Sequence, residues 1–322
     1  MRVRLAEIES SNLRLFEFDY DLTFMVFFLN PEQRVYARYG GRDHEGPDER
    51  QSLAGLRYTM ESVLAEHKSS QPRYAPQQGG KPFYIREIAP PRGLGRCIHC
   101  HQAKEVIYNQ LDREGKWNVD LAFRYPPPDN LGLKLEVDRG NVVEVVTDDS
   151  PAAKAGLKPG DVVQSLNNVP VHSFGDAQFA LDRAPKRGQI EVSWERPSSR
   201  GMQGRIELPD RWRRSDIGWR ASLRKFVASA HVYGKDLTPD EKAQLGLPPD
   251  QLAFRQKDSV PEQARKAGVR AGDIVLGVDD KELELRAYTF LMYMRSNYVK
   301  GEVVILNVLR DGRRLRLSMK LE

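Results

Sequence analysis

The sequence predicts a multidomain α+β chain, and three observations carry that prediction. Its 322 residues exceed what a single hydrophobic core ordinarily organises. A ten-residue pattern occurs twice: Lys154 to Val163 (KAGLKPGDVV) returns as Lys266 to Val275 (KAGVRAGDIV), which places Gly156 and Gly268 112 positions apart. Segments of strand period also alternate with segments of helix period along the chain. The composition, 40% hydrophobic and 30% charged, is that of a folded chain rather than a disordered one. The longest apolar run, Leu22 to Leu29 (LTFMVFFL), is far short of the roughly 20 residues a spanning helix needs, so no membrane span is expected. A net charge of +5 favours acidic partners without naming one.

Taken in order, Arg2 to Leu5 alternates as a strand and Phe24 to Leu29 reads as a continuous apolar strand. Asn30-Pro31-Glu32-Gln33 then turns the chain into a third strand, Val35 to Tyr39. Ser52 caps a helix whose apolar residues Leu53, Leu56, Met60, Val63 and Leu64 recur at helical spacing. Lys68 to Arg96 is rich in Pro, Gly, Gln and Ser, as a linker or an extended wrap over a neighbour would be. A helix follows, with Ala103, Val106, Ile107 and Leu111 on one face. In each copy of the repeat a short helix opens at Ser150-Pro151 or Val260-Pro261. One glycine ends that helix in the left-handed region, and a second makes a tight turn before a strand. The expected domains are residues 1–67, a linker at 68–95, a helical segment at 96–124, and the two copies at 125–208 and 211–322.

The repeated segment matches the pattern SPAxxAGLxxGDxI and resembles the PDZ domain in the circularly permuted form of bacterial proteases. The resemblance implies two β-sandwich or barrel domains that bind an extended segment or C-terminus of a peptide or protein by strand addition. It places the backbone N–H groups that meet the peptide at Leu131, Gly132 and Leu133 in the first copy and at Ile217, Gly218 and Trp219 in the second. The groove-flanking helices would be Phe174 to Leu181 and Arg286 to Met294, with Asp161 and Asp273 structural.

The amino-terminal stretch FDYDLTFMVFFLNPEQRVYARYGGRD, followed by SLAGLRYTMESVLAEH, resembles the second half of a thioredoxin-like domain. It is more closely similar to a bacterial family, with selenocysteine in some members, in which such a segment precedes PDZ domains. The resemblance implies an incomplete domain whose apolar face around Met25 to Phe28 lacks its cover. The accompanying expectation is that the native product extends upstream, with a redox residue and an export signal.

Both cysteines of the chain fall in Cys97-Ile98-His99-Cys100-His101. A C-x-x-C-H motif is the attachment pattern of c-type haem: two thiols reach the vinyl groups and the adjacent histidine reaches iron. Covalent haem c is therefore the leading cofactor reading for Cys97, Cys100 and His101, with His101 as the metal ligand. Met60, His67, His172, Met202 and His231 are candidate sixth ligands. A dithiol couple, a zinc site and an inert motif remain as alternatives. Attached haem would place the protein outside the cytoplasm.

From Arg183 to Lys225 the chain has twelve basic residues against five acidic. No stacking motif accompanies them, so a solvated basic face is preferred over a nucleic-acid surface. No nucleophile turn of the Gly-x-Ser-x-Gly kind occurs, so a serine protease is not expected. The function predicted from sequence is thus PDZ-mediated peptide binding coupled to a redox or electron-transfer centre. A non-redox interaction scaffold and a thiol oxidoreductase are the alternatives.

Overall fold

The structure, a computed structural model, describes residues 8–77, 79–88, 98–197, 199–279, 281 and 283–322. The expected strand at Arg2 to Leu5, and Cys97, lie outside these residues. The fold is mixed α+β and divides into two compact units, Met1–Trp117 with Phe123–Ser222, and Asn118–Ala122 with Leu223–Glu322.

In the first unit, β1 (Met25–Leu29) and β2 (Val35–Gly40) form an antiparallel hairpin in which Met25 faces Gly40. α1 (Leu53–Lys68) begins where Ser52 Oγ accepts the Gly55 N–H at 2.9 Å, satisfying one of the donors that a helix start leaves unpaired. α2 (Cys100–Arg113) follows. The first copy of the repeat then supplies β3 (Leu133–Leu135), β4 (Val143–Val146), the short α3 (Pro151–Lys154), β5 (Val162–Leu166), β6 (Val169–Pro170), α4 (Phe174–Asp182), β7 (Gly188–Arg196) and β8 (Ser199–Leu208). β3 pairs with β4, and the other strands make a sheet of order β6-β5-β7-β8. Leu133, Leu135, Val163, Phe179, Trp194 and Ile206 interlock as its core.

The amino-terminal segment does not stand apart as a thioredoxin-like half-domain. Val35 of β2 and Ala75 of the following strap are buried in the core of the first repeat copy, and the Ala75 N–H donates to Val35 O at 2.8 Å. The apolar hairpin is partly covered, with Met25 to Phe28 half-buried. Phe16 and Phe18 meet Phe27 edge-on at 5.2 and 5.8 Å, and α4 packs against β2. A two-stranded hairpin is marginal by itself, and here it is stabilised by lying on the helix of the next domain.

The second unit is an antiparallel five-stranded sheet of order β13-β12-β11-β10-β9. Its strands are β9 (Gly234–Asp236), β10 (Phe254–Gln256), β11 (Ile274–Val278), β12 (Val303–Arg310) and β13 (Arg313–Lys320), with helices α5 (Pro239–Gln244), α6 (Glu262–Lys266) and α7 (Ala287–Asn297). Phe254, Phe290, Met294, Val304 and Leu306 form its core. Its long segment starts at Leu223, so residues 211–222, expected to open the second copy, cluster with the first unit. Among the described residues no helix is long and apolar enough to cross a membrane.

Candidate functional site

The groove of the first copy should lie between β3 and α4, closed at one end by the loop before β3. Pro128–Leu131 forms a single 3₁₀ turn, and Gly132 follows at φ 78°, ψ 24°. A side chain is excluded at Gly132, because an added Cβ would collide with Cβ and Oγ of Ser150, the N-cap of α3. The Gly132 N–H is already donated to Asp129 O at 2.9 Å, and Gly132 O accepts from the Thr147 N–H at 3.0 Å. Leu131 and Leu133 are buried in the core. The loop is thus tied to both its neighbours, and the N–H group expected to meet a peptide at Gly132 serves the turn.

The α4 side of the groove is covered by the chain's own residues. Every residue of α4 is buried. Asp176 Oδ1 accepts the Arg38 N–H at 2.8 Å, Ser173 Oγ donates to Arg38 O, and Gln178 Nε2 donates to Arg42 O at 3.3 Å. Gly41 lies so close to the Phe174 ring that a Cβ there would come within 2.5 Å of Cδ1. Beside the loop, Arg50 donates from Nε to Asp43 at 2.6 Å and from Nη2 to Asp129 at 3.0 Å.

In the second unit β9 is an edge strand, bonded to β10 on one side only. α7 is held beside it by the Ala287 N–H, which donates to Asp236 Oδ1 at 2.7 Å. The loop ahead of β9 is Ala230-His231-Val232-Tyr233. His231 takes φ 51° between buried Ala230 and Val232, just as Gly132 sits between Leu131 and Leu133. The residue pattern does not mark this loop, because a histidine stands where a glycine would signal it, and histidine tolerates the left-handed region better than most side chains. The residues proposed instead, Ile217, Gly218 and Trp219, close on themselves in the first unit. The Gly218 N–H donates to Asp216 Oδ1 at 2.7 Å, Trp219 Nε1 donates to Asp216 O at 2.9 Å, and Ile217 is fully buried.

Of the cysteines of the C-x-x-C-H region the structure describes Cys100, whose thiol is turned inward. Cys100 opens α2 and packs inward with Phe18, Tyr20, Ile98 and Ala103, and burial raises its pKa above the usual thiol value, which suppresses the thiolate needed for redox or ligand chemistry. The His99 N–H donates to Gln102 Oε1 at 2.8 Å, and the rings of His99 and His101 stack 6.0 Å apart. Among the described residues no three His, Cys, Asp or Glu side chains are grouped to hold a metal.

A polar cleft of about 620 Å³ opens between α1 and the first repeat copy, lined by Ser62, Glu66, Arg73, His172, Ser193 and Glu195 among others. Ser62 Oγ meets His172 Nδ1 at 2.8 Å. The contact has the residue types of a nucleophile and its base, but no carboxylate orients the other ring nitrogen, since His172 Nε2 is buried without a partner. Burial, reinforced by Arg73, lowers the His172 pKa to about 4 and keeps the ring neutral. Glu66 is committed to Arg73, with bonds of 2.6, 3.1 and 2.7 Å. The pair therefore fastens α1 to the loop ahead of α4.

Several basic side chains of the stretch from Arg183 are paired with carboxylates within the first unit. Arg183 pairs with Glu17, Arg196 with Asp161, and Arg220 with Asp19.

Comparison with known proteins matches residues 142–196 to the PDZ domain family. Over 246 residues the chain is 26% identical to a probable periplasmic serine endoprotease DegP-like of Pseudomonas putida (strain W619), covering 71% of this chain and 48% of that protein. Over 188 residues it is 25% identical to the periplasmic serine endoprotease DegP of Escherichia coli (strain K12), covering 58% of this chain and 36% of that one. A solved structure titled HtrA-type protease AlgW with decapeptide shares 19% identity over 50% of this chain and 49% of its own, with a TM-score of 0.26. The chain thus spans about half the length, or less, of the curated relatives it matches.

These relatives overturn several expectations. Redox and electron transfer, covalent haem c at Cys97, Cys100 and His101, and the thioredoxin-like identity all give way to proteins named serine endoproteases. The inward packing of Cys100 supplies a physical reason. The exclusion of a serine protease, which rested on a missing motif, falls to the same finding, and the non-redox scaffold reading is weakened with it. The chain carries a PDZ domain over residues 142–196 and is similar across most of its length to proteins of the DegP protease type.

Proposed function

We propose that this chain acts in extracytoplasmic proteolysis of the DegP serine-endoprotease type, and that its repeat copies capture extended segments of the polypeptide to be degraded. The observation that carries the reading is the similarity over 71% of the chain to a protein named a periplasmic serine endoprotease, within which the PDZ match falls. The geometry supports the capture step. An edge strand offers a row of unpaired backbone groups to a partner chain, and β9 is such a strand, with α7 alongside to contact the side chains of an added segment. Main-chain bonding of this kind selects extended, unfolded segments over folded ones.

The test uses the full chain and denatured casein. Cleavage abolished by diisopropyl fluorophosphate, a serine-directed reagent, is expected, together with binding of a fluorescein-labelled decapeptide. Intact casein would overturn the proteolytic part, and absence of decapeptide binding would overturn the capture part.

A further inference from the structure

We infer that the groove of the first copy already holds its ligand, the chain's own segment from Arg38 to Arg50, and that outside peptide is captured at the second copy. The inference rests on the strand-addition reading above and names which of the two sites is available. Its first support is direction. The segment passes Ser173 and Phe174 at the start of α4 and reaches Gln178 one turn later, then continues to the loop before β3, where Arg50 meets Asp129. It therefore runs the length of the groove towards the loop expected to receive a peptide's end.

A second support is the kind of contact made. The backbone of Arg38 is satisfied on both sides by side chains of the groove-flanking helix and its N-cap, its N–H by Asp176 and its carbonyl by Ser173, so the helix reads the main chain of the segment. Gly41, at φ 145°, lets the backbone lie against Phe174 where a side chain would not fit. The Arg50 side chain is 3% exposed and Asp43 4% exposed, so the guanidinium that reaches Asp129 at the loop end is anchored within the segment by a bridge shut off from water.

The third support is the contrast with the other copy. No residue of α4 is exposed, whereas α7 leaves Tyr288 72% and Met292 39% exposed, and Tyr233 just ahead of β9 is 39% exposed. Two helices in equivalent positions of a duplicated fold thus differ in one respect: a segment of the same chain covers one, and among the described residues nothing of its own unit covers the other.

Hydrogen exchange of the full chain, alone and with saturating fluorescein-labelled decapeptide, tests this. Without peptide, amides 38–42 should exchange as slowly as those of α4, at least ~100-fold slower than an unstructured chain. Fast exchange there would overturn the inference without reference to any ligand. With peptide, new protection should appear at β9 and α7 and none at β3 and α4. New protection at β3 and α4 of the unaltered chain would overturn it. Protection nowhere would overturn the capture reading, while the first measurement still decides whether the groove is filled. Gly41→Val, which places a side chain against Phe174, should release segment 38–43 and allow peptide-dependent protection at β3 and α4. Retained slow exchange in that variant would also count against the inference.

Discussion

Arg196 grips Asp161 with two parallel bonds, Nε to Oδ1 at 2.7 Å and Nη2 to Oδ2 at 2.8 Å, and the second copy repeats the arrangement. There Arg310 grips Asp273 at 2.7 and 2.7 Å. In each copy the aspartate also accepts a turn N–H, from Lys158 or Arg270, at 2.8 Å. The same arginine reaches a glycine carbonyl, Gly156 or Gly268. One bidentate fork therefore locks the helix end, the tight turn and the last long strand together. Asp161→Ala is expected to lower the stability of the first unit by about 2 to 3 kcal/mol, and Asp273→Ala that of the second by a similar amount. Urea unfolding checks this, followed by tryptophan fluorescence in the first unit, where all four tryptophans lie, and by amide exchange of β10 to β13 in the second; a loss below about 0.5 kcal/mol would remove the structural role.

Asp176 and His172, neighbours through the His172 N–H to Asp176 Oδ2 bond of 3.1 Å, should give opposite pH slopes. Burial, only partly offset by Arg38, raises the Asp176 pKa from 3.8 to about 7. Its folded form holds a proton the unfolded chain releases, so its stabilising contribution is complete below pH 3.8 and is lost as pH rises through 7. Burial lowers the His172 pKa from 6.5 to about 4, so its contribution is present above pH 6.5 and is lost as pH falls through 4. Each is worth about 3 to 4 kcal/mol over its window. Between pH 4 and 6.5 the two nearly cancel. Denaturant titrations should show stability rising with pH in Asp176→Asn and falling with pH in His172→Asn. Parallel slopes in the two variants would refute the assignment.

Gly132→Val is expected to act on folding rather than on peptide affinity. Positive φ and the approach of Ser150 should together cost about 2 kcal/mol or more. The thermal midpoint of the first unit should fall while decapeptide affinity stays within twofold. Weakened affinity at unchanged stability would restore Gly132 as a direct peptide contact.

Four charges are buried together where Lys104 Nζ meets Asp19 at 2.8 Å and Asp21 at 3.2 Å, and Arg220 meets Asp19 at 2.6 Å. Lys104 and Arg220 hold the Asp21 carboxyl down at about 2. Lys104→Met leaves two carboxylates against one guanidinium and should cost about 3 to 5 kcal/mol. Adding Asp21→Asn rebalances the charge and should recover part of that loss. A double-mutant cycle by urea unfolding measures the coupling, and strict additivity would show that the four do not act as a unit.

The Cys100 thiol should react with iodoacetamide at pH 8 at least ~10-fold more slowly than free cysteine, because its packing suppresses the thiolate. Cys100→Ala should leave decapeptide binding unchanged. Rapid alkylation would reopen the thiol chemistry that the structure closes.

Much of this molecule was written locally. The spacing of Gly156, Gly160 and Asp161 and its recurrence 112 positions later announced the duplication, because a left-handed helix end and a tight turn demand glycine at fixed offsets. Ser52 and Ser150 marked helix starts, since a hydroxyl there answers an unpaired N–H within three residues. The short-range signal failed where partners lie far apart in sequence. That Cys100 turns inward depends on Phe18 and Tyr20, some eighty residues away. That β2 lies on α4 depends on Arg38 meeting Asp176 across 138 positions. His231 replaces a glycine in a loop whose backbone is set by buried neighbours, so no residue pattern marked it. Local backbone preference is encoded residue by residue, and the sequence alone determined it. Which apolar face covers which is settled by long-range burial, and only the tertiary structure decided that.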